Sequence, residues 1–151
     1  MTGLGADWII LDDPLQAAHR RSDTRGDKLE STFREALSTR LNNPSTGKIL
    51  LIQQRIAPSD LCGRLTEQDD HPWTVLTLPA EFMAPATYPL GRFEGTHEAQ
   101  VGDLLIPDHL TRDVLKDRRI EMGEAAYAAQ YLQAPIYEEN NPIEFDKLTF
   151  V

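Results

Sequence analysis

The sequence predicts an α/β domain, and three observations lead there. Short apolar runs without alternation occur at Trp8-Ile9-Ile10-Leu11, Ile49-Leu50-Leu51-Ile52 and Val75-Leu76-Thr77-Leu78. Each is closed by polar or proline residues, the pattern of strands buried on both faces of a parallel sheet. Helix-type spacing separates them, giving the strand–helix–strand alternation of a layered α/β fold. At 151 residues the chain has the length of one ordinary domain, able to bury roughly two-thirds of its surface.

The first run ends in Asp12-Asp13-Pro14, a turn signal. Between Asp27 and Leu41, Leu29, Phe33, Leu37 and Leu41 recur every fourth residue with charges on the other faces, predicting an amphipathic helix. Asn42-Asn43-Pro44 stops it, and the second strand then runs into Gln53-Gln54-Arg55. Pro58-Ser59-Asp60 opens a short helix through Leu61 and Leu65, with Ser59 as its expected N-cap. The third run closes at Pro79. From Met83 to Gly102, two prolines and three glycines without a sustained period predict a long irregular connection. Leu104-Leu105-Ile106 reads as a short strand. Thr111 and Asp113 mark the start of a helix ending near Met122, Gly123 breaks it, and a second helix runs from Glu124 to Leu132 before Pro135.

Composition excludes several classes. No apolar run approaches the ~20 residues of a membrane span, and Met-Thr-Gly-Leu-Gly does not resemble a secretory leader. Cys62 is the only cysteine, which excludes an internal disulfide and fits a reducing, cytoplasmic location. Fifteen basic against 24 acidic residues, a net charge of -9, argue against a diffuse nucleic-acid-binding surface.

Chemistry concentrates at the ends of the first two predicted strands. In α/β folds ligands bind outside the carboxyl ends of strands, and two carboxylates there suit a divalent metal on a phosphate. That is the logic of a Walker B strand, in which one acid holds Mg²⁺ and the next orients the attacking water. Asp12-Asp13-Pro14 is equally ordinary turn chemistry. Gln53, Gln54 and Arg55 stand at the equivalent end of the second strand, where they either sense a terminal phosphate or satisfy loop carbonyls. Arg20, Arg21 and Arg25 form a small basic cluster. His19, His71, His97 and His109 lack metal-ligand spacing, Cys62 reads as a small buried thiol, and Tyr127/Tyr131 as helix packing. No Gly-Lys-Ser/Thr loop opens a helix; Thr46-Gly47-Lys48 precedes a strand instead.

Taken in order, these stretches resemble the large terminase subunit of tailed bacteriophages and prophages. Thr2 to Pro14 is similar to that family's Walker B strand, Ser38-Thr39-Arg40-Leu41 to the end of the following helix, and Ile49 to Arg55 with Ser59 to Leu65 to its coupling strand and helix. Trp73 to Glu81 resembles the next strand, Leu90 to Pro107 the connecting loop, and Ala128 to Pro135 the stretch closing the ATPase module. The resemblance implies a partial P-loop NTPase of RecA-like, mostly parallel type, lacking the Walker A strand and followed by a small helical segment. It divides the chain into residues 1–81, the Walker B half of the core; 82–135, a long loop and helical subdomain; and 136–151, a linker toward a nuclease domain beginning near Ile143-Glu144-Phe145.

By the same resemblance Asp12 is the Mg²⁺-binding acid, Asp13 occupies the place of the catalytic glutamate, and Gln54-Arg55 form the coupling element. Mg²⁺ and ATP are the implied cofactors. Double-stranded DNA, the portal, the small terminase subunit and a homo-oligomeric ring are the implied partners. The family's Walker A strand lies between the coupling strand and the one at Val75 to Leu78, so those two edges are expected to lack their common neighbour or to pair directly. Without the phosphate loop the chain alone is expected not to hydrolyse ATP. Two other readings remain: a split subunit completing an ATPase in trans, and an acidic, non-enzymatic interaction protein.

Overall fold

A computed structural model describes residues 5–14, 23–67 and 73–136. Within these the protein is mixed α/β, with two small sheets and four α-helices. Strand β1 (Trp8–Asp12) pairs in parallel with β2 (Lys48–Ile52), Trp8 opposite Lys48 and Asp12 opposite Ile52. The crossover contains α1 (Asp23–Thr32), which continues through a π-turn at Phe33–Leu37 and a 3₁₀ turn at Ser38–Arg40. A 3.6-residue helix drifts by about 40° at each step of four residues. The wider π-turn counters that drift, so Leu29, Phe33 and Leu37 all pack into one core.

That core is built on Phe33, Leu61 and Leu65, the last two from α2 (Leu61–Thr66), with Leu11, Ile49, Leu51 and Trp73 around it. Only one face of the strand pair is covered. Along β1 and β2 burial alternates, and Trp8 and Ile10 are 64% and 61% exposed, with Leu50 and Ile52 exposed beside them. The expectation of strands buried on both faces is therefore corrected: continuous apolar runs formed the strands, but no described element covers the second face.

The third predicted strand is also corrected. Among the described residues Val75 to Leu78 pairs with no strand, and all four side chains are exposed. It neither joins β2 nor closes against it; a groove of about 450 Å³ lies between them, lined by both segments. The stretch expected to be irregular instead holds an antiparallel hairpin, β3 (Ala86–Pro89) with β4 (Thr96–Ala99). Its Pro89 sits at a strand end, where a missing N–H is tolerated. Leu104 makes an isolated bridge to Glu81 rather than a strand.

A second cluster, on Ala80, Leu115 and Tyr127, joins α3 (Arg112–Met122) to α4 (Glu124–Gln130). Thr111 caps α3 as expected, its hydroxyl accepting from Val114 N–H at 3.4 Å. Gly123, with φ +77°, makes the break before α4 in a conformation that favours glycine. Tyr127 and Tyr131 stack at 5.2 Å. No described helix is long and apolar enough to cross a membrane.

Candidate functional site

Parallel pairing sends the carboxyl ends of β1 and β2 to the same edge. Asp12 ends β1, Asp13 follows it, and both are exposed. The ladder extends one bond further, from Asp13 N–H to Ile52 O at 2.9 Å. The backbone then turns sharply, with Asp13 at φ +40°, a region Asp tolerates better than most residues. This turn brings the Asp13 carboxylate across to the second strand, where its Oδ1 accepts from Gln54 N–H at 3.3 Å. Two stretches forty-one residues apart in sequence thus meet at one strand-end edge.

Gln54 is exposed beside that contact, whereas the Arg55 side chain turns elsewhere. Its Nε donates to both carboxylate oxygens of Asp60, at 3.0 and 2.9 Å, and Nη2 donates to Ala57 O and Pro58 O. Its N–H donates to the Gln133 side chain at 3.1 Å, the tie between the strand end and the C-terminal cluster. Among the described residues the guanidinium is held by Asp60, Ala57 and Pro58, and not by Asp12 or Asp13.

Asp60 is the residue sequence reasoning missed. It is 1% exposed and accepts from Ile56 N–H at 3.0 Å, Ala57 N–H at 3.4 Å and Gly63 N–H at 2.9 Å, besides Arg55. Asp60, not Ser59, caps α2. Both residue types cap helices well; the converging amides of Ile56 and Ala57 select the carboxylate, which has acceptor sites for all four donors. Gly63 completes the knot, since a Cβ there would lie 1.9 Å from Pro58 O.

Gln53 lines the groove beside β2, and its side-chain nitrogen is buried with no hydrogen-bond partner among the described residues. Cys62 also lines it, half-buried on α2, and burial pushes its thiol above the ordinary range. Arg20, Arg21, His19 and His71 lie outside the described residues, as does the segment from Glu138 to Val151 with Ile143-Glu144-Phe145; Arg25 falls within α1. His97 is on β4 and stacks with Tyr88.

No known family, curated protein or solved structure matches the chain.

Chemically, the strand-end edge offers two carboxylates and the Gln54 amide to solvent. Among the described residues no group of three or more His, Cys, Asp or Glu side chains is placed to hold a metal. The donor set fits Mg²⁺ in the way phosphate-bound Mg²⁺ is usually held, by one or two carboxylates with water and phosphate oxygens completing the shell. It does not fit a metal caged wholly by protein.

Proposed function

We propose that this chain is the Walker B half of a phage terminase ATPase module, part of a partial RecA-like core of the motor that packages viral DNA. The observation that supports it is the meeting of Asp13 and Gln54 at the carboxyl edge of a parallel strand pair. In this reading Asp12 and Asp13 hold Mg²⁺ with water, and the ion, when bound, neutralises charge on the nucleotide phosphates. Asp13 holds the Gln54 backbone in register with the metal edge. Arg55 acts as a positioning residue: Asp60 fixes its guanidinium, so displacement of Gln54 is passed through the Arg55 backbone to Gln133. DNA, portal and small-subunit contacts, and a bacterial cytoplasmic setting, belong to the complete motor.

These 151 residues contain no Gly-Lys-Ser/Thr loop opening a helix, so the purified chain is inactive toward ATP in this reading. Two experiments test it. Translating the flanking DNA in all frames should reveal a phosphate-loop sequence upstream and an acidic nuclease frame downstream. Titrating millimolar Mg²⁺ into the labelled protein should move amide resonances at Asp12, Asp13 and Gln54, and Asp12→Asn with Asp13→Asn should remove the response. Absence of any shift at those amides would sink the metal role. ATP turnover by the parent, lost in Asp13→Ala, would overturn the inactivity.

A further inference from the structure

We propose that the Gln133 side chain is a strained latch between two separately packed halves of this molecule, and that its release lets the halves part along the groove beside β2. The cores themselves are distinct. One is built on Phe33, Leu61 and Leu65, the other on Ala80, Leu115 and Tyr127. Between them runs the hydrogen bond from Arg55 N–H, just past the end of β2, to Gln133 Oε1 at 3.1 Å. Among the described residues no other hydrogen bond or ion pair ties β1, β2 or α2 to residues 79–136. Both latch residues line the groove of about 450 Å³ that separates β2 from residues 74–78.

Closing the latch is costly. Gln133 has φ +55°, the left-handed conformation in which glycine ordinarily ends a helix. For a residue with a Cβ that conformation costs about as much as one hydrogen bond returns. The base of the latch is fixed: Tyr131 O accepts from Ala80 N–H at 2.7 Å, Ala134 N–H donates to Ala128 O at 2.9 Å, and Gln133 Nε2 donates to Gln130 O at 2.6 Å. Glycine would relieve the backbone but has no side chain to reach Arg55, so the reach, not the turn, accounts for the residue type. A second penalty lies in the same groove. Gln53 Nε2 is buried without an acceptor among the described residues, although buried donors are nearly always satisfied. Parting of the halves admits water to it. Hydrogen bonding across the halves is thus offset by two penalties of similar size, which sets the closed form near balance. The latch uses neither Asp12 nor Asp13, so it stands apart from the metal role proposed above.

Cys62, half-buried in the groove, reports on opening. The full chain is reacted with an aromatic disulfide reagent at fixed pH, without Mg²⁺. Gln133→Gly should speed labelling about fivefold, the population change that one net hydrogen bond commands. Its urea midpoint should stay within about 0.3 M of the parent's, because glycine relieves the backbone. Gln133→Glu keeps an acceptor for Arg55 N–H and should label at the parent's rate. Gln53→Met removes the dry donor and should slow labelling by a similar factor. Spin labels at the exposed positions Lys28→Cys on α1 and Lys116→Cys on α3, in a Cys62→Ser background, should gain longer separations on adding Gln133→Gly. An unchanged rate in Gln133→Gly overturns the proposal, as does equal acceleration in Gln133→Glu. Labelling of Gln53→Met at or above the parent's rate overturns it too. Acceleration with unchanged spin-label separations would mean local loosening of the groove, and acceleration with a midpoint fallen further than stated would mean general unfolding. Either result also overturns it.

Discussion

Replacing Asp60 with alanine tests the account of the strand-end turn most directly. Asp60→Ala removes the α2 cap, worth about 1 kcal/mol, and strips acceptors from the Ile56 and Gly63 amides, each buried and costing ~1–3 kcal/mol when unsatisfied. It also leaves the partly buried Arg55 guanidinium without its carboxylate. These terms share donors, so they do not add fully; breaking a buried pair from one side costs roughly 3–5 kcal/mol in total. Taking about 4 kcal/mol and a urea slope near 2 kcal/mol/M, the midpoint should fall by about 2 M. That is a large part of an ordinary domain's stability of ~5–15 kcal/mol. Asp60→Asn, which can keep the cap oxygen, should recover about 1 kcal/mol. In an Arg55→Met background the alanine change should cost ~1–2 kcal/mol less, because the stranded cation is gone. Urea unfolding followed by far-ultraviolet circular dichroism measures all five proteins: the parent, the two Asp60 variants, Arg55→Met and the Arg55→Met/Asp60→Ala double variant. A midpoint for Asp60→Ala within about 0.3 M of the parent would refute the reasoning.

Other outcomes follow from the same contacts. Gly63→Ala should destabilise by about 3 kcal/mol, since its Cβ would collide with Pro58 O and crowd the Arg55 guanidinium; thermal melting reads the loss. Glu94, at φ +53° in the β3–β4 turn, occupies glycine's territory, so Glu94→Gly should stabilise by about 1 kcal/mol in the same assay. The Arg34 hydrogen bond, aided by Arg64 and opposed by burial, holds the Glu30 carboxyl below its usual 4.5. With the folded value depressed, the unfolded chain takes up the proton first. This contribution is thus complete above 4.5 and disappears as pH falls through the lowered value. Glu30→Gln should flatten that part of the acid limb, measured as urea midpoint against pH.

Local signals carried far in this sequence. The runs at Trp8 and Ile49 became paired strands, the Leu29 spacing became α1 and its extension, and Thr111 and Gly123 delimit α3 as their chemistry requires. The strand-end position of Asp12 and Asp13 was legible because it needed only the end of an apolar run. Features that depend on a partner were not. Val75 to Leu78 has strand composition, but strand propensity is realised only against neighbours, and among the described residues no strand pairs with it. The β3–β4 hairpin was hidden because Pro89, Gly91 and Gly95 punctuate its turn and read as loop. Asp60 was hidden by one residue: Ser59 and Asp60 are both good caps, and the choice lies in amides that converge only after folding.

The Asp60 knot also sets the order in which this protein can assemble. Its donors lie within five residues of the carboxylate, so closing it requires almost no search. The β1–β2 ladder instead joins Trp8 to Lys48 across the whole α1 crossover, and such non-local pairing is slow because loop closure precedes any reward. The turn after β2 can therefore be rigid before β2 has found β1, presenting a preshaped end on which the parallel pair registers. Substitutions at Asp60 should accordingly slow refolding, while substitutions at Trp8 mainly hasten unfolding.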